Sequence, residues 1–150
     1  MVDYTILKQR LRELFTTQRL AVLSTHNKGQ PYASLVAFAA SNDLKYLYFA
    51  TTRATRKYRN IAHDPRVAFL IDSRTNQEAD FHDAIGVTAT GRAFEMEAGA
   101  EKEAMALYLA KHPYLETFVG SPTCALLAAQ VERYYLVERF QKVTELHMET

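Results

Sequence analysis

The sequence predicts an α+β domain built mainly on antiparallel β-structure, and two observations carry that reading. Six segments have strand character: residues 20–25, 32–40, 44–51, 66–72, 84–96 and 124–140. The first three are joined by turns of a few residues, as in an antiparallel meander. The full order is helix, meander, short helix, two strands, helix, strand, which fits a dominant antiparallel sheet with added helices. Six strands with an inserted helix pair can close into a small barrel. Periodicity alone does not separate a barrel from a sandwich. At 150 residues the chain has the length of one domain, residues 1–150. Its 48% hydrophobic and 23% charged content is that of a folded globular chain, which argues against disorder.

Residues 3–17 read as the first helix. Leu7, Leu11, Leu14 and Phe15 share one face, and Asp3 is placed to cap the start. LAVLST (20–25) is the first strand. Asn27, Lys28, Gly29 and Gln30 supply turn chemistry, with Gly29 able to take a positive φ. Pro31 then opens YASLVAFAA (32–40). Ser41, Asn42 and Asp43 form the next turn, and the aromatic-rich LKYLYFAT (44–51) follows. Residues 52–63 read as a strongly basic helix, stopped by Asp64 and Pro65. RVAFLID (66–72) is a strand, 73–83 a polar loop. In the long strand 84–96, Gly86 and Gly91 suggest bulges or close backbone approach. Ala104, Leu107, Tyr108 and Lys111 space out a helix over 101–112, and a short segment from Pro113 ends near Gly120. Residues 124–140 form the last strand or strand pair. The tail, 141–150, shows no clear pattern.

The formal net charge is +1, so no broad field draws the chain to nucleic acid or anionic lipid. One cysteine, Cys124, excludes an intrachain disulfide and a thiolate cluster within the chain. It is expected to be a small buried hydrophobe, in a reducing compartment. The charged N-terminal segment lacks the apolar core of a secretory signal, and no apolar run reaches the ~20 residues of a membrane span. A cytoplasmic location with no membrane partner is the expectation. The five histidines form no metal-binding spacing, the nearest pair, His63 and His82, being nineteen residues apart, so no metal is expected. Glu95, Glu97, Glu101 and Glu103 read as a solvated face and helix start.

The chemistry concentrates in Thr51-Thr52-Arg53-Ala54-Thr55-Arg56-Lys57, where a strand ends and a helix begins. Helix starts carry unpaired N–H groups and partial positive charge. Threonine hydroxyls and an Arg-Lys pair complete a phosphate site. Arg53 and Arg59 could assist. A solvated basic face is the alternative reading.

FATTRATRKYRNIAHDPRVAFLID resembles the core of the pyridoxamine 5′-phosphate oxidase-like flavoproteins, the FMN-binding split barrels. LAVLSTHNKGQPYASLVAF resembles their opening hairpin, and VTATGRAFE a later strand. The resemblance covers about residues 18–97. It implies a six-stranded split β-barrel with flanking helices, FMN as cofactor, and a homodimer with the flavin at the subunit interface. Arg56 and Lys57, with Thr55 beside them, match the phosphate-binding pair. Ala50 and Thr51 match the strand end that contacts the cofactor. Ser34, Leu35 and Val36 match the strand whose backbone lies along the isoalloxazine ring. Gln77, Phe140 and Gln141 are weaker candidates for contacts from the partner chain.

The chain also departs from the vitamin B6 oxidases within that family. They have an arginine where this chain has Ser34 and a lysine where it has Ala39, and their C-terminal Trp-Arg-Leu and Arg-Pro-His-Asp blocks are missing. A phosphate-bearing substrate would lack partners, so the B6 biosynthetic reaction is not expected. The expected function is a flavin-dependent oxidoreductase acting on an unidentified small molecule. A non-enzymatic flavin carrier or redox sensor is one alternative. A haem-binding or haem-degrading relative, with His112 or His147 as axial ligand, is the other. His82 could line the flavin pocket as a proton donor.

Overall fold

The computed structural model describes residues 2–149; Met1 and Thr150 lie outside the described residues. Helix α1 (Tyr4–Thr17) begins at Asp3, whose side chain accepts from the Thr5 and Ile6 N–H groups. A tight hairpin then joins β1 (Leu20–Asn27) to β2 (Gln30–Ala40). Its two turn residues, Lys28 and Gly29, have φ of 51° and 86°. Positive φ at both central positions matches the twist of the flanking strands, and glycine adopts it without steric cost. β3 (Tyr46–Thr52), α2 (Arg56–His63), β4 (Arg66–Asp72), α3 (Asp80–Asp83) and β5 (Ile85–Glu95) follow. Next come α4 (Lys102–Lys111), a 3-10 turn (Pro113–Leu115), α5 (Glu116–Val119), β6 (Cys124–Glu138) and β7 (Lys142–His147).

The sheet order is β3-β2-β1-β4-β5-β6-β7, and β3 also pairs with β6. That extra pairing closes six antiparallel strands into a barrel and leaves β7 as a hairpin outside it. Closure resolves the choice between barrel and sandwich. A bulge lies opposite Gly91, where Thr90 faces Arg133 and Gly91 faces Val131. A Cβ on Gly91 would stand 2.1 Å from the Gln130 carbonyl oxygen, so only glycine fits. Gly86 pairs regularly with Asp72 and makes no bulge.

Inward-facing residues alternate along every strand and fill the barrel: Leu23, Phe38, Phe49, Phe69, Val87 and Leu127 are almost wholly buried. Burying each large side chain contributes about 1.5–3 kcal/mol. Helix α1 closes one end with the predicted face, Leu7, Leu11, Leu14 and Phe15. Phe15 meets Phe38 edge-on at 5.8 Å and Tyr134 at 5.7 Å. Arg10 ties the same helix to Glu138 at 2.8 Å. Helix α2 closes the opposite end with Ile61, and Asn60 donates to Thr25 Oγ1 at 3.0 Å within the core. Helix α4 lies outside the barrel, with Ala104 and Tyr108 packed near Ala39 and Leu126.

Three expectations about the elements are corrected. Leu44 belongs to the turn before β3, at φ 65°, and its carbonyl accepts from the buried Tyr134 hydroxyl at 2.7 Å. The basic helix starts at Arg56 because Thr52 still belongs to β3 and Arg53 and Ala54 form the turn before the helix. The last strand ends at Glu138, and the tail forms β7. The β6–β7 turn puts Arg139 and Phe140 at φ 51° and 60°, without the glycine or asparagine that advertises such a hairpin.

Candidate functional site

Helix α2 is capped by Thr55, whose hydroxyl oxygen accepts from the Tyr58 N–H at 3.3 Å. Thr51 Oγ1 lies 2.8 Å from Thr55 Oγ1 and fixes the cap from the end of β3. Arg56 and Lys57 are therefore the first two helical residues. Their backbone N–H groups belong to the orphan donors of a helix start. Among the described residues, no carboxylate pairs with either side chain. The Arg56 guanidinium sits over the Tyr32 ring, 5.4 Å from its centre. Gln30, Tyr32, Arg56, Arg59, Asn60 and His63 line a groove of about 360 Å³ here. Tyr32 was not singled out from the sequence. Its signal, an aromatic across the hairpin from the basic block, needs the fold to be seen.

The other cations of this region are engaged. Arg53 pairs with Glu95 at 2.7 Å and donates to the Pro122 carbonyl at 3.0 Å. Arg59 donates to the Ala54 carbonyl at 2.8 Å. Both brace the turn before α2. Glu95 is likewise no solvated surface acid. Arg53 and then the Tyr58 hydroxyl hold its carboxyl below the usual carboxylate range.

Beside this helix the barrel is split. β2 and β3 pair only at Phe38–Phe49, Ala39–Tyr48 and Ala40–Leu47. Beyond those rungs, the β2 edge that runs past Ser34, Leu35 and Val36 has no strand partner, while its other edge pairs with β1. At the fork, where Ala37 and Ala50 would form the next rung, α4 inserts a side chain. The Tyr108 hydroxyl donates to the Ala37 carbonyl at 3.0 Å, and its own oxygen faces the Ala50 N–H. The phenol thus stands inside a missing ladder bond and holds the strands apart. Burial pushes its pKa up to about 12, so it remains a neutral donor. The sequence shows Tyr108 only as one apolar position of a helix.

The sequence-derived residues fall into distinct settings. Ser34 faces inward, with a buried hydroxyl that has no hydrogen-bond partner. Leu35 faces outward and is 65% exposed. Val36 and Thr51 point into the core, and they pair with Ala21 and Ala125 on the neighbouring strands. Ala50 lies at the fork. Phe140 lies against Phe81, with ring centres 6.0 Å apart, and lines a cleft of about 620 Å³ with Gln77. Gln141 is exposed at the start of the tail. His82 is exposed on α3. His112 is fully buried, with Nε2 at 2.8 Å from the Phe38 carbonyl, and His147 is exposed beside Glu145 at 2.9 Å. Cys124 is buried, and burial pushes its thiol pKa up. Among the described residues, no group of three His, Cys, Asp or Glu converges as a metal site. Asp80 accepts instead from the Thr75 and Asn76 N–H groups. No helix among those residues is long and apolar enough to cross a membrane.

The fold has solved counterparts. A haem-binding protein from Mycobacterium smegmatis is 20% identical, with a TM-score of 0.79 over 91% of this chain and 57% of its own. This chain therefore spans little more than half of that protein. An FAD-binding protein from Mesorhizobium loti is 17% identical, with a TM-score of 0.70 over 90% of this chain and 92% of its own. General Stress Protein 26 from Bacillus anthracis is 19% identical, with a TM-score of 0.69 over 95% and 98%. No functionally curated protein matches the sequence. The family model described as pyridoxamine 5′-phosphate oxidase matches residues 7–138, which takes in the barrel strands β1 to β6 and the basic helix start. The chain belongs to the pyridoxamine 5′-phosphate oxidase family.

Proposed function

We propose that the chain is an FMN-binding flavoprotein that works as a homodimer and as a flavin-dependent oxidoreductase on a small molecule other than the B6 phosphates. One observation carries the reading: two cations without carboxylate partners, Arg56 and Lys57, at a helix start beside an open strand edge. The residues fit the cofactor. Arg56, Lys57 and their N–H groups would hold the phosphate, with Thr55 and Thr51 fixing the helix start. The N–H and C=O groups of Leu35, which alternate with those bonded to β1 and so face the open edge of β2, would meet the polar rim of the ring. Bound flavin would supply the electron transfer, while this chain supplies binding and orientation.

The specificity reading rests on the substrate side. Ala39, 1% exposed, lies in the cluster of Ala104, Tyr108 and Leu126 beneath α4, where a lysine would have no room. Ser34 offers a hydroxyl where an arginine would hold a second phosphate. The dimer is supported by an apolar outer face. Leu35 and Leu70 both flank Val22 on neighbouring strands and are 65% and 40% exposed. Such contiguous apolar surface is normally covered. His112, with Nε2 held by the Phe38 carbonyl inside the core, does not favour the haem reading.

The test is the absorbance spectrum of the purified protein, followed by heat release and identification of the released compound. Flavin bands and free FMN are expected. A colourless protein that takes up no added FMN contradicts the proposal. Light scattering is expected to give a dimer, and Leu35→Asp a monomer. A monomeric wild-type chain contradicts the assembly.

A further inference from the structure

At the end of the barrel away from α2, α1, α4 and the turn between β2 and β3 enclose a cavity of about 640 Å³. Arg12, Arg19 and Lys111 contribute to its wall, and no carboxylate lines it. Asp43, in the adjoining turn, is already engaged by the Ser41 hydroxyl at 2.7 Å and the Lys45 N–H. Phe15, Leu44 and Leu107 supply apolar surface.

Lys111 is the unusual member. Its ammonium lies 3.8 Å from the centre of the Phe38 ring and donates to the Phe15 carbonyl at 2.7 Å, in the last turn of α1. Those contacts are a neutral carbonyl and a ring face, and no anion completes them. Burial alone brings its pKa down to about 8, with no neighbouring acid opposing the shift. Burial first, and then Lys111 and Arg19, disfavour charge on the adjacent His112. A half-buried cation is ordinarily paired. Here the charge converges with Arg19 on an accessible cavity with an apolar wall.

We propose that this cavity is a second ligand site, for a small organic acid whose carboxylate lies against Lys111 and Arg19 and whose apolar part lies on Phe15, Leu44 and Leu107. The charged head would gain charge-assisted hydrogen bonds. The mixed wall, a few polar groups over apolar surface, is that of a small-molecule site. The inference does not depend on the flavin reading, because the two sites lie at opposite ends of the barrel.

Calorimetric titration of the full chain with hexanoate tests it. Wild type is expected to bind one hexanoate per chain, and Arg19→Gln and Lys111→Gln each to weaken binding about tenfold. Arg19 makes no side-chain hydrogen bond that the fold needs, so Arg19→Gln keeps the test valid if Lys111→Gln unfolds. Arg56→Ala is expected to bind hexanoate like wild type. The proposal is overturned by a wild type that binds no hexanoate, or by Arg19→Gln binding as tightly as wild type. It is also overturned if Arg56→Ala loses hexanoate, or if inorganic phosphate binds the Arg56→Ala chain as well as hexanoate does.

Discussion

The β2–β3 pair has two halves that behave differently. In one, Phe38–Ala40 and Leu47–Phe49 are fully laddered, mostly buried, and covered by α1 inside and α4 outside. In the other, the strands part at Ala37 and Ala50, and the β2 edge faces a basic helix start. The first half holds the barrel together. The second leaves backbone groups and cations unpaired, which costs stability unless something binds them. The closed ladder and the open edge are therefore separated along the same two strands, with one side chain, Tyr108, at the division.

That division can be broken from either side. Phe38→Ala strikes the closed half and is expected to cost about 3–5 kcal/mol in chemical denaturation, through lost burial and a cavity. Arg56→Ala and Lys57→Ala strike the open half. Each is expected to weaken FMN about ten- to a hundredfold in a fluorescence titration while leaving the melting temperature unchanged. Tyr108→Phe removes the hydroxyl at the fork and leaves the Ala37 carbonyl short of a donor. A loss of about 1–3 kcal/mol is expected, together with faster amide exchange at Ala50.

The smallest effect is expected from Arg53→Gln, which frees Glu95 at the rim of the open half. The Glu95 carboxyl is held below its ordinary value by Arg53, with Tyr58 assisting. A depressed carboxylate contributes stability above its unfolded pKa and loses it as pH falls through the folded value. The melting temperature of Arg53→Gln should thus fall slightly below wild type at neutral pH, and the two should converge in acid. A gap that persists in acid would assign the effect to the Pro122 contact.

How far this division could be read in advance differs between the two halves. The barrel strands are legible because Leu23, Phe38, Phe49 and Phe69 follow simple alternation, and Lys28-Gly29 is recognisable turn chemistry. The basic helix start is legible too, since Thr51, Thr55, Arg56 and Lys57 are neighbours in the chain. β7 escaped because its turn uses Arg139 and Phe140 at positive φ. The split escaped because it depends on pairing register and on Tyr108, seventy-one residues beyond Ala37. Tyr32 beneath Arg56 and Glu95 beneath Arg53 are contacts between segments, which no local pattern reports.

On the proposed reading, Arg56 and Lys57 hold a phosphate beside the open edge of β2. The most direct measurement is a parallel titration of cofactor-free protein with FMN and with riboflavin, which lacks the phosphate. Wild type is expected to prefer FMN by about ten- to a hundredfold, with the preference lost in the double variant Arg56→Ala, Lys57→Ala. Equal binding of the two flavins by wild type, or an undiminished preference in the double variant, would contradict it.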